Sequence, residues 1–219
     1  MKTIKTITLT LAGLAAAALI TGCATSSGYK QADKTGQGIA DFHKEVLNVK
    51  KAVDQNMSLL DKITETASQD PRKAYEAFAK SVNQVESARE KAAKRAADVK
   101  TAGAAYFKTW EAQLANISNP EIRQLAEERK ARLNEMFGKL GPLLEAAKAD
   151  FDPYLADIKD LRTFLSQDLT IAGVDAAKAT ILKTQEHGNK LQISLDKLVA
   201  EMNSIAAALT PSKLAAQQK

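Results

Sequence analysis

The chain has one cysteine, two histidines and one tryptophan in 219 residues. A lone cysteine makes no internal disulfide and no thiolate zinc site, which excludes both a cross-linked domain and a Cys-based metal fold. Aromatic residues are only 5%, and ten glycines and five prolines are too few for collagen or a loop-rich sandwich. There is no glycine-rich phosphate loop, no dinucleotide fingerprint, no HExxH pair and no spacing that supports a Ser/His/Asp arrangement. β-Branched runs are also scarce, which disfavours sheet. Alanine, by contrast, occurs 39 times, and it is the strongest helix former. The composition predicts an all-α protein.

The first 23 residues are an address. Lys2 and Lys5 form a short positive region, and Leu9 to Ile20 is an apolar run too short for a good membrane span. The run ends in Ile20-Thr21-Gly22-Cys23. This resembles the lipobox of bacterial lipoprotein precursors, an aliphatic residue and two small ones before the cysteine. The resemblance implies cleavage ahead of Cys23, acylation of its sulfur and amine, and anchoring by several chains where one would hold only marginally. An ordinary cleaved signal with an incidental cysteine is the plainer alternative. Ala24, where an aspartate would imply retention in the inner membrane, implies the periplasmic face of the outer membrane in a two-membrane host. Maturation removes Lys2 and Lys5, so the formal charge falls from +5 to +3. The basic excess is therefore partly an export feature, and no nucleic-acid partner is expected.

After a small, polar linker over 23–35, apolar residues recur at alternating three and four spacing. Helix 1 carries Ile39, Phe42, Val46, Val49, Val53, Asn56, Leu60, Ile63 and Ala67. Asp70-Pro71 starts helix 2, whose stripe runs from Tyr75 and Phe78 through Arg89, Ala92, Ala96 and Gly103 to Tyr106 and Trp110. Its phase then slips by one step to Leu114 and Ile117. Asn119-Pro120 starts helix 3, with a stripe from Phe137 to Leu165; Gly141-Pro142 and Asp152-Pro153 are where it would bend or break. Thr170 caps helix 4, whose stripe from Val174 to Leu209 alternates three and four throughout, and Thr210-Pro211 stops it. Short corners between long amphipathic helices predict an elongated antiparallel helical bundle or coiled coil of about four helices. Helices 2 and 3 would form a long arm partly covered by 1 and 4. The domain spans 36–209, between a signal over 1–22 and the linker on one side and a frayed tail over 210–219 on the other. The same stripe suits an intermolecular coiled coil, so a second copy is a candidate partner beside the preferred single-chain bundle.

Candidate sites each carry a bland reading. His43 and His187 lack companion ligands, so neither a metal nor another cofactor is expected. Asp150, Asp152, Asp157 and Asp160 would do acid–base work only if they faced a cleft, and otherwise solvate a helix. Arg89, Lys91, Lys94, Arg95 and Lys100 are the densest basic run, suited to anionic headgroups or peptidoglycan carboxylates, or to a solvated rod surface. Glu90 and Lys94 stand at i,i+4 in the favourable order. Arg89 lies on the apolar stripe, where its stem would run along the stripe or its charge would meet an acid of another helix. Asn56 is the polar member of its stripe, a register-setting position. Trp110, with Tyr106 and Phe107, is either a bulky plug in an alanine-rich core or an exposed partner anchor.

The mature chain also resembles an uncharacterised family of bacterial envelope lipoproteins, long charged helical coiled coils behind a lipobox. The stretch that carries this runs from Phe151-Asp152-Pro153-Tyr154-Leu155 through Asp160-Leu161-Arg162 to Asp168-Leu169-Thr170 and Gly173-Val174. The resemblance brings no activity and no catalytic residues. The expectation is a lipid-anchored, non-enzymatic spacer, scaffold or interaction module, with an envelope protein, peptidoglycan or anionic lipid as partner. The alternative is a binding protein for peptidoglycan or anionic lipid, acting through the basic helix face or a groove between helices, and a hydrolase using the helix 3 acids is the least favoured.

Overall fold

The computed structural model describes residues 28–209. Cys23, the signal segment, the first part of the linker and the tail over 210–219 lie outside the described residues. Four helices follow one another: α1 Gly28–Thr66, α2 Arg72–Leu114, α3 Pro120–Gln167 and α4 Ile171–Leu209. At 1.5 Å per residue they are about 58 to 72 Å long. Each of α1–α2, α2–α3, α3–α4 and α1–α4 is in contact. With corners this short, that closes an up-down-up-down bundle. Among the described residues no helix is long and apolar enough to cross a membrane.

The corners form where side chains take up the free amides at the helix starts. The Asn119 carboxamide oxygen accepts from the amides of Glu121 and Ile122 at 2.9 and 3.1 Å, with Pro120 at the first helical position. Thr170 Oγ1 accepts from Gly173 N at 3.1 Å and donates to Asp168 at 2.6 Å. Asp70 accepts from Arg72 N and also pairs with its guanidinium. Those bonds from Arg72 hold its exposed carboxyl below the usual range.

The stripes form the core, and that of α4 is buried at every position from Val174 to Leu209. α3 is continuous through Pro142 and Pro153. Each proline removes one intrahelical bond without ending the helix, because packing on the neighbours holds both flanks in line. α1 takes in residues 28–35, which the sequence reading gives to the linker. Thr35 is buried and donates to Gln31 O at 2.8 Å, so it satisfies its hydroxyl within the helix and prolongs the stripe by one step. The expected long arm of α2 and α3 is corrected too. These two helices pack together least closely of the neighbouring pairs, while α1 lies closely on α2 and α3 on α4. Ala92 and Ala96 stand only half-buried on the α2 stripe, so at this spacing their side chains do not reach across.

One polar cluster ties the helices in register. Asn56 of α1 is fully buried, its amide donating to Ser81 of α2 at 2.7 Å and its oxygen accepting from the Tyr154 hydroxyl of α3 at 2.8 Å. Ser81 in turn donates to Phe78 O at 2.8 Å. Gly188 completes the site from α4. A side chain there would meet Met57, and its Cβ would sit 3.1 Å from the Tyr154 ring. The helix accepts a glycine costing about 0.5–1 kcal/mol because the close approach requires it.

Replacing Tyr154 by Phe strands the Asn56 oxygen and should cost about 1–3 kcal/mol, read as a lower urea midpoint at unchanged m-value. An unchanged midpoint would show that the hydroxyl contributes nothing. Burial, and secondarily the charge of Asp54, push the Tyr154 phenol well above its ordinary range. The folded chain thus keeps a proton that the unfolded chain releases near about pH 10. The associated stability is complete below that pH and declines as pH rises beyond it. Tyr154→Phe should flatten that alkaline decline.

Candidate functional site

The α2–α3 seam is bridged by side chains at two levels, with an apolar groove between them. Toward the α3–α4 corner, Tyr75 donates to Arg162 O at 3.2 Å, Arg162 donates to Asn83 at 2.8 Å, and Lys159 pairs with Glu86. Arg89 then bonds Asp152 at 2.6 Å, with its guanidinium 5.2 Å from the centre of the Phe151 ring. Toward the α2–α3 corner, Lys130 pairs with Glu111, and the Phe107 and Phe137 rings meet edge-on at 5.4 Å. Gly103 admits Phe137, whose ring would lie 3.0 Å from a Cβ there.

Between these bridges lies a groove of about 370 Å³. Its walls are Ala92, Ala93 and Ala96 of α2 and Leu144 and Ala147 of α3. Its floor is Phe42, Val46 and Val49 of α1 with Leu195 and Leu198 of α4. The lining is apolar, and Arg89, Glu90, Glu145 and Lys148 stand at the rim. A volume of this size lies within the range of sites for small ligands, which are mostly apolar with a few polar groups fixing orientation. Alanine produces it. Side chains on the α2 stripe stop short of α3, so the interior that Val82 and Val85 fill further along is left open here.

The structure separates the candidate residues. Arg89 is on the groove rim and its charge meets an acid of another helix, as one of its two readings holds. With the pair more than a third exposed, it is worth at most about 1 kcal/mol. Lys94 and Arg95 are exposed; Arg95 reaches Asp98 at 3.5 Å, and the expected Glu90–Lys94 pair is not formed. Trp110 is half-buried, with its ring 5.5 Å from that of Tyr106. It lies 21 residues from Arg89, about 32 Å along α2, so the two belong to different places. Cys23 is outside the described residues.

The helix 3 acids do not converge. Asp150 accepts from Ser194, Asp152 from Arg89, and Asp157 from His187 at 2.8 Å, while Asp160 is exposed. His187 is thus satisfied by one carboxylate, and His43 is half-buried. Among the described residues no three His, Cys, Asp or Glu side chains cluster as a metal site would need. The sequence anticipated a groove between helices only as an alternative binding surface and did not place it on the α2–α3 seam. Its only sequence signal is the run of alanines on the α2 stripe, which reads equally as close packing.

Filling the groove tests this geometry. Ala96→Leu should fold normally and bind an environment-sensitive apolar dye more weakly than the parent. Equal dye binding would place the dye elsewhere on the bundle.

Residues 26–209 match the model of one family, described as a protein of unknown function (DUF2959). No curated protein and no solved structure matches the chain.

Proposed function

Because the chain belongs to this family of unknown function (DUF2959), we propose a role from its own geometry: a lipid-anchored, non-enzymatic interaction module of the bacterial envelope whose working surface is the α2–α3 groove. The groove is the observation that carries this reading. It is apolar, open to solvent and rimmed by both signs of charge. Buried area there would drive binding, and the rim would orient the occupant. The Ile20-Thr21-Gly22-Cys23 pattern supports the anchor, and Ala24 supports the outer membrane facing the periplasm. The long bundle suits a spacer or scaffold that carries the groove away from its point of attachment.

A second reading, binding of an amphiphilic lipid or an envelope polymer, is favoured by the cationic Arg89 and Lys148 beside an apolar floor. Both readings use the groove and differ in its occupant.

Two experiments test the proposal. Cys23→Ala should move the protein from the membrane to the soluble envelope fraction, and retention at the parent level would remove the anchor. A photo-crosslinking residue in place of Ala96, activated in intact cells, should yield adducts that the same residue at exposed Ser204 does not. Polypeptide adducts support the interaction module, and lipid or glycan adducts the second reading. Equal labelling from both positions would sink the groove as the working surface.

A further inference from the structure

One end of the bundle carries apolar side chains that no helix covers among the described residues. Here α1 begins, α2 ends and α3 begins, as the closeness of Gly28 to the Gln113 side chain shows. Tyr29 is 68% exposed, Ile122 52% and Leu125 61%, and Trp110 shares a pocket with Tyr29. The described part of α4 stops below this level. Ile122 and Leu125 stand ahead of Leu133 on α3, about 6 to 10 Å beyond the level of Arg129. At that level the Arg129 guanidinium donates to Ala208 O at 2.5 Å and closes the end of α4. A cation on the last carbonyls of a helix is favourable. Among the described residues, what covers the α3 stripe lower down therefore stops short of Ile122 and Leu125.

We propose that this end is a membrane-docking surface, with Tyr29, Trp110, Ile122 and Leu125 seated at the boundary between lipid headgroups and acyl chains. The inference rests on the acylation of Cys23 proposed above. Five residues, 23–27, separate the start of the mature chain from Gly28, and at full extension they span at most about 18 Å. The first turn of α1, which contains Tyr29, is thus held within that distance of the acylated cysteine. The opposite end, at Thr66, is about 58 Å further along α1 and out of reach. Tyrosine and tryptophan suit this boundary because each joins an apolar ring to a polar tip. Lys30 and Arg123 adjoin Tyr29 and Ile122 in sequence; the Arg123 guanidinium donates to Ile117 O at 2.8 Å, and both positive charges favour anionic headgroups. The bundle then stands on the membrane, and the groove, 14 to 21 residues along α1 at Phe42 to Val49, is held about 21 to 32 Å above the docking end.

The test uses the full-length product, purified from membranes and reconstituted in phosphatidylethanolamine–phosphatidylglycerol vesicles containing brominated acyl chains. Ile122→Cys and Leu125→Cys, each labelled with a fluorescent thiol dye, are compared with Leu182→Cys, an exposed apolar site away from this end. Circular dichroism confirms that each labelled chain is folded. Dyes at 122 and 125 should be quenched several-fold more than the dye at 182. Equal quenching overturns the docking. So does shielding of the 122 dye from aqueous iodide without vesicles, if truncation after Leu209 relieves it, since the C-terminal residues are then the occupant. Shielding relieved instead by dilution identifies a second copy and overturns the proposal as well. Mass spectrometry of the N-terminal peptide judges the acylation separately. An unacylated Cys23 overturns that reading and the docking with it, whereas an acylated Cys23 with equal quenching overturns the docking alone.

Discussion

The hydroxyl of Tyr154 and the carboxamide of Asn56 meet where all four helices converge. A long alanine-rich bundle has a weak sense of register, because one turn of apolar stripe resembles the next. A buried amide has no such tolerance: shifted by a turn it would lose Ser81 and Tyr154 and lie unsatisfied in the core. Gly188 adds a steric lock from the fourth helix, since only there does α4 leave room for Met57 and the Tyr154 ring. Register fixed at this level determines which residues face each other everywhere else along helices about 60 Å long.

The consequence is most visible along the α2–α3 seam. With Tyr154 in place, Arg89 faces Asp152, Lys159 faces Glu86, and further on Lys130 faces Glu111. These pairs are partly exposed and individually weak, and they bridge the seam on either side of the groove. Between them the small side chains of α2 cannot fill the space above Phe42, Val46 and Leu198, and an apolar groove opens. The groove and the uncovered end thus have related origins. In one, side chains do not cross between helices; in the other, the described part of one helix does not cover its neighbour.

Much of the architecture was legible in the sequence. The α4 stripe was readable at every position, because no proline or phase slip interrupts it and each step lands on the same face. The corners at Asn119-Pro120 and Thr170 were readable from their caps, since those side chains bond amides within three residues of themselves. The start of α1 was not. Gly28 to Thr35 is mostly polar with no apolar stripe of its own, and it is helical because Thr35 and Ala32 find neighbours on the bundle. Pro142 and Pro153 were readable as weak points, but whether they break α3 depends on what holds the helix on either side.

For the candidate site the division is sharper. Local spacing determined the helical class, the four elements, the isolation of Cys23 and the odd placement of Asn56 and Arg89 on apolar stripes. Tertiary structure alone decided their partners, because Asn56 to Tyr154 and Arg89 to Asp152 are contacts between helices far apart in sequence. It alone decided that Ala92 and Ala96 border a groove. An alanine at a stripe position looks the same in sequence whether the next helix touches it or stops short, and only the spacing of helices fixed elsewhere tells the two apart.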